Sequence, residues 1–349
     1  MAAAFGVALV LICAAAAFAA YVPSSLDLRV DAIARSSLLH RPAVQLVDPA
    51  RQAAAIRRAH WTVFGFVLTQ LFEAAALFYL WSSGGAASLR DWLRRRFAAE
   101  WGVRFLFGAA LALVARLAAL LPAFYLYRVD RTLDLTFELT RIWALLWIFH
   151  TIVAMLIAGF IAAVVLWLVS RTHQWYVYAI FGVLAVTIVW SSFSPSRIET
   201  FLGSTAAELR YAAAFAQAAR HDQVSIALID GGIIIVFAAI AVVIADRIRF
   251  RRDDDPLSRL AIVGALLALV YLAAVPVRNA VASSYDLGDD DYAIAFTDDP
   301  AGAVRALVRL ADQRMVEVCP ESSAALFLYT SPGIGVRVAA INHVPADCP

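Results

Sequence analysis

Apolar residues run along this chain in long blocks, not in the strict alternation of a half-buried strand. Seven blocks approach or exceed the ~20 residues a helix needs to cross the hydrocarbon of a bilayer. They are Ala2–Ala20, Trp61–Trp81, Phe105–Tyr127, Trp143–Val169, Trp175–Trp190, Val224–Ala245 and Ala261–Val277. Trp61, Trp81, Tyr125, Tyr127, Trp143, Trp175 and Trp190 sit at their ends, where amphipathic rings mark the membrane interface. The pattern predicts an all-α, polytopic membrane helix bundle of about seven transmembrane helices over residues 1–278. A short, mainly helical tail is expected over 279–349. In that tail Asp299 and Pro300 open a helix, and Val304, Leu307, Val308, Ala311 and Met315 recur on one face. Arg305, Arg309 and Asp312 fall on the other face.

Composition agrees with the pattern. The 349 residues are 62% hydrophobic and 16% charged, against roughly 25% charged in a soluble domain. Mean hydropathy is +0.76. A net charge of +2 gives no basic footprint for nucleic acid; the expected partner is the lipid bilayer. Every basic residue is Arg, which excludes a phosphate-loop lysine and Schiff-base chemistry. The three cysteines, Cys13, Cys319 and Cys348, form no C-x-x-C pair.

The first block reads as a retained span or as a signal peptide ending near Ala17-Phe18-Ala19. Nothing basic precedes it. The next connection carries Arg29, Arg35, Arg41, Arg51, Arg57 and Arg58, and the one after it Arg90, Arg94, Arg95, Arg96 and Arg104. Weighing the first of these as inside places the N-terminus outside and the C-terminus in the cytoplasm. The location expected is the bacterial inner (plasma) membrane. On that topology Cys319 and Cys348 stay reduced; a tail outside would let them form a disulfide.

Three ionisable residues fall inside spans: Glu73, Arg116 and Asp230. Such groups are costly in lipid and face partners or water. Glu73 and Arg116 lie at matching depth on consecutive antiparallel spans and are expected to pair, either structurally or as the lining of a cavity. Asp230 precedes Gly231-Gly232, which suits close helix packing. The histidines show no i, i+4 pair for a metal. The Arg94–Arg96 run reads as an interfacial anchor or a lipid-headgroup contact. The Asp286–Asp291 acidic run reads as a solvated loop.

Several stretches in the second half form a recognisable order: Pro276-Val277-Arg278-Asn279, Asp290 with Ala293, Thr297-Asp298-Asp299-Pro300, the Leu307–Gln313 helix, and Leu326–Pro332 with Arg337. Arg90–Arg94, Leu121-Pro122 and His173-Gln174-Trp175 add weaker matches. In this the chain resembles the CAAX prenyl endopeptidases, seven-span membrane zinc metalloproteases. The resemblance implies their helical fold, with Asn279, Asp290 and Arg337 as retained positions. It also implies that the zinc-ligand and general-base positions are Phe215, Ala216, Ala219 and Gly288, and that an oxyanion-stabilising position is Ser331. None of the first four supplies a donor to zinc. The family's zinc is therefore not expected here, nor is the H-E-x-x-H chemistry; its soluble β-containing insert has no room in the chain. The resulting expectation is a catalytically inactive relative that binds hydrophobic or prenylated peptides, or another membrane protein. An active metalloendopeptidase with ligands elsewhere, and a small transporter or channel, are the alternatives.

Overall fold

The computed structural model describes residues 42–133, 135–136, 138–192, 206–248, 255–346 and 348. The first expected span, the signal-peptide reading, Cys13 and most of the connection after Ser192 lie outside the described residues. The rest is all-α. A 3₁₀ turn at Ala43–Leu46 precedes twelve helices: α1 Pro49–Ser82, α2 Gly85–Arg96, α3 Glu100–Ala118, α4 Leu120–Thr132, α5 Thr140–Arg171, α6 Trp175–Ser192, α7 Ala206–His221, α8 Gln223–Arg247, α9 Pro256–Thr297, α10 Pro300–Arg314, α11 Ser322–Phe327 and α12 Ile334–Ile341. No strand occurs among the described residues.

Five helices, α1, α3, α5, α8 and α9, are long and apolar enough to cross a membrane. The chain is thus an integral membrane helical protein in contact with lipid. The expected fifth span, α6, is apolar over Trp175–Val189 and falls short of that length. The expected third span is broken: α3 stops at Ala118 and α4 begins at Leu120. Pro122 explains the break, because its ring and missing N–H are tolerated only in the first turn of a helix. The seventh span departs the other way. Pro276 lies inside α9, and the helix continues to Thr297. At ~1.5 Å per residue it is roughly 63 Å long, about twice the hydrocarbon thickness.

The chain divides into two compact units. One comprises, among the described residues, Phe64–Leu184 and Gly232–Ala274. Leu77, Leu93, Val103, Phe107, Leu166 and Ala261 form its core. Here α3 crosses α5 at very close range. A Cβ on Gly108 would lie 2.5 Å from the Ala162 Cβ, and one on Gly159 would lie 2.8 Å from the Phe105 carbonyl oxygen. Small residues at such a crossing let backbones approach where lipid offers no hydrophobic drive to association. At one end of this unit Arg94 pairs with Asp255 at 2.8 Å, and Arg90 Nη1 donates to Ser258 at 3.1 Å. Arg104 reaches Glu100 and the Ser170 hydroxyl, and Arg259 pairs with Asp246. The ends of α2, α3, α5, α8 and α9 thus share one polar rim.

The other unit comprises the described residues up to Val63, from Ala185 to Gly231 and from Val275 onward. Its core is Tyr211, Phe215, Ile294, Val304, Leu307 and Val338 with their neighbours. The Asp299 carboxylate accepts from the Gly302 N–H at 2.7 Å and caps α10. As expected, Val304, Leu307 and Ala311 are fully buried; they pack within this unit, chiefly through α7 and α12.

Candidate functional site

Three buried polar residues of the second unit lie along one face of α9. Asn279, Asp286 and Asp290 recur at i, i+7 and i+11, a spacing that aligns them along the helix. All three are buried. Each meets a later point of the tail in turn. The Asn279 amide donates to the Leu326 carbonyl at 2.9 Å, the Ser331 hydroxyl donates to Asp286, and Arg337 grips Asp290. The acidic run is therefore helical, not the solvated loop its charge suggested; Asp286, Asp289 and Asp290 are buried and Asp291 is exposed. Asp286 and Asp290 are held by donors that the local sequence does not reveal.

The Arg337–Asp290 contact is bidentate. Nε donates to one carboxylate oxygen and Nη2 to the other, both at 2.7 Å. The Tyr211 hydroxyl donates to the same carboxylate at 2.5 Å and accepts from Arg337 at 3.4 Å. Arg337 also lies over the Phe215 ring, 5.1 Å from its centroid, in cation–π geometry. Tyr211, Phe215, Asp290 and Arg337 are each at most 3% exposed. Burial and the Asp290 charge push the Tyr211 hydroxyl well above the ordinary phenol range. Burial opposes the Arg337 charge, but Asp290 overrides it and raises the guanidinium further. The centre is thus a buried, bidentate carboxylate–guanidinium contact joined by a phenol.

The positions assigned by resemblance divide into two groups. Phe215, Ser331, Asp290 and Arg337 contribute to this centre and its flank, and Ala219 packs at the edge of the core. Ala216 is half-buried, and Gly288 has nothing within 4 Å of a Cβ built there. None of Phe215, Ala216, Ala219 and Gly288 carries a metal donor, and no group of three or more His, Cys, Asp or Glu among the described residues could hold an ion. The donor set does not fit zinc.

A second polar cluster joins the start of α1 to the segment after α10. The Gln52 side chain donates to the Val316 carbonyl and accepts from the Val318 N–H. Arg51 binds both the carboxylate and the carbonyl of Asp312, and His60 contacts Glu321 at 3.0 Å. Beside them Glu317 is 1% exposed, and its Oε1 has no hydrogen-bond partner. Burial raises its carboxyl to about 7, against the nearby charge of His60 and with that of Glu321. The Tyr329 hydroxyl, 3.5 Å away, is itself pushed up to about 12 by burial. Arg51 and Arg58, counted from sequence as topology signals, hold this segment through the Asp312 and Arg314 carbonyls. Arg309, expected on an open face, pairs with the buried Glu208 at 3.2 Å.

The intramembrane candidates behave differently from one another. Asp230 is paired with Arg278 through both carboxylate oxygens, at 3.1 and 3.2 Å. Glu73 and Arg116 attract each other, yet no direct ion pair forms, and the Arg116 Nε is buried without a hydrogen-bond partner. Arg116 lies in the last turn of α3, just before the break at Ala119. Cys319 and Cys348, expected to stay reduced, form a disulfide with Cα atoms 5.2 Å apart. Tyr211 escaped the sequence reading, although it sits one turn before Phe215 on the same face of α7. Gln52, Glu208 and Glu317 left no signal, because their partners lie far off in the chain or are backbone groups.

Compared with family models, curated proteins and solved structures, the chain matches none.

Proposed function

We propose that this membrane protein is a non-catalytic relative of the CAAX prenyl endopeptidases that works by binding. Its ligand in this reading is a hydrophobic or lipidated peptide segment, or a partner membrane protein. The observation that carries the reading is the state of Phe215. The resemblance assigns this position to a zinc-binding imidazole, and here a fully buried ring lies under the Arg337 guanidinium. Asp290 and Arg337, the retained positions, satisfy one another and stiffen the core. Without metal donors at Phe215, Ala219 and Gly288, and without an acid at Ala216, water is not activated by that route.

The test uses the purified full chain in detergent with a photoreactive prenylated peptide. Saturable crosslinking and no peptide cleavage with added zinc are expected. Cleavage abolished by a chelator and restored by zinc overturns the reading. A second reading, transport of a small polar solute, is favoured by one observation: Glu73 and Arg116 attract within the spans without closing into a pair. Liposome flux that survives Glu73→Gln unchanged removes it.

A further inference from the structure

The turn between α5 and α6 holds a cavity of about 540 Å³, within the ~300–1,000 Å³ range of small-ligand sites. Ser170, Arg171, Thr172, His173, Trp175 and Tyr176 line it, and all belong to the first unit. One short stretch of chain builds the site, so its shape follows from local structure. α5 ends at Arg171, where Thr172 turns to an extended backbone, and α6 begins at Trp175. The Gln174 N–H donates to the Thr172 hydroxyl oxygen at 3.1 Å, and the Val177 N–H to the Gln174 carbonyl at 2.9 Å. These two bonds fix the turn.

Position and charge both bear on what the cavity takes. α5 is the most apolar of the five membrane-length helices, and α6 is apolar over Trp175–Val189. A polar turn at the end of such a helix lies at the level of the lipid headgroups, where rings like those of Trp175 and Tyr176 are enriched. Arg171 lines the cavity and no carboxylate does. The acids of the adjoining rim are engaged elsewhere: Asp255 with Arg94, Asp246 with Arg259, and Glu100 with both Arg94 and Arg104. Arg104 Nη1 also donates to the Ser170 hydroxyl at 3.4 Å, which sets a second guanidinium against the cavity wall. Donors outnumber acceptors. Arg171 has five N–H groups and no acceptor, and the Thr172 hydroxyl, the His173 ring, the Trp175 indole and the Tyr176 phenol can each donate. An anion with several acceptor oxygens matches this set. A planar carboxylate offers two, whereas a tetrahedral phosphate offers more in more directions, and the Arg fork binds it in bidentate fashion.

We propose that the α5–α6 turn is a binding site for an anionic phosphate group at the membrane interface. Arg171 is its principal contact, and Thr172 and His173 are flanking donors. The same chemistry serves the phosphate of a lipid headgroup and free phosphate, and the test separates the two. The site goes beyond the peptide-binding reading and does not depend on it.

The test is scintillation-proximity binding to the purified full chain in detergent, with two tracers used separately: tritiated dioleoyl phosphatidylglycerol and radiolabelled inorganic phosphate. Unlabelled dioleoyl phosphatidylglycerol should displace the lipid tracer, and dioleoylglycerol, which lacks the phosphate, should not; this comparison needs no variant. Saturable binding of the lipid tracer alone assigns the headgroup as the source. Binding of inorganic phosphate, alone or in competition with the lipid, assigns the free ion as a ligand of the same site. Arg171→Gln, at an exposed position, should weaken the bound tracer about tenfold. Thr172→Phe, which fills the cavity without altering its charge, should also weaken it, and Arg95→Gln, an exposed arginine outside the cavity, should leave it unchanged. Saturable binding of neither tracer, equal displacement by dioleoylglycerol, unaltered affinity in Arg171→Gln, or an equal loss in Arg95→Gln each overturn the proposal.

Discussion

The two units are held together by different physics. In the first, α3 and α5 meet through Gly108, Gly159 and Ala162, and charged side chains are gathered at the rim. In the second, a carboxylate, a guanidinium and a phenol lie at the centre of an apolar core. In lipid, apolar surface gains nothing by leaving its surroundings, so helices of the first unit associate through close fit. In the second unit apolar side chains enclose the charges, and charges enter such an interior only when fully paired. A buried pair of this kind contributes little net stability, but it punishes removal of one partner.

The comparison is broken most severely at Arg337. Arg337→Met leaves Asp290 and Tyr211 buried without their cation and is expected to cost about 3–5 kcal/mol, read as loss of the tail's protease resistance. The paired change Asp290→Leu with Arg337→Met should recover much of that loss, because no isolated charge then remains. Next, Cys319→Ser opens the loop closed by the disulfide and should lower stability by about 3 kcal/mol, measured as a shift in thermal unfolding without reductant. If reduction leaves the unfolding temperature of the unaltered chain unchanged, the covalent tie carries no weight.

Glu317 makes the second unit pH-sensitive in a direction opposite to most acids. Its carboxyl is raised by burial to about 7 in the folded chain, above the ~4.3 of a free glutamate. The folded state therefore holds this proton more tightly than the unfolded state does. The stabilisation is complete below about pH 4 and declines as pH rises through 7. At roughly 1.4 kcal/mol per unit the span amounts to at most about 4 kcal/mol, reduced by solvent screening around the cluster. Unfolding midpoints between pH 5 and 8.5 should fall for the native chain and flatten for Glu317→Gln; parallel profiles would remove the assignment. The smallest effect falls in the first unit. Gly108→Leu at the α3–α5 crossing should cost about 1–3 kcal/mol by overpacking, read as earlier detergent-induced unfolding. It should leave the disulfide and the tail's protease resistance intact.

The spans were legible because a block of some twenty apolar residues is a strong, local signal. Their breaks were not. Pro122 ends one helix and starts another, whereas Pro276 interrupts nothing. The difference lies in the residues beyond each proline. After Pro276, Asn279, Asp286 and Asp290 tie the helix to Leu326, Ser331 and Arg337. Tertiary contacts thereby overrule a local penalty of about 3 kcal/mol. The acidic run was misread for the same reason, since the Ser331 partner of Asp286 lies 45 residues away in the chain. Asn279, Asp290 and Arg337 were singled out by resemblance alone, and the structure gathers them along one edge of α9. Tyr211, Gln52 and Glu317 depend on contacts that no local pattern records.

Gly335 sets an order on how this tail can diverge among descendants. Because any side chain there would press on both sulfurs, replacement is tolerated only after the bridge is gone. Lineages that keep both cysteines are expected to keep glycine. Lineages that have lost one sulfur are released at all three positions together, so that 319, 335 and 348 vary as a group.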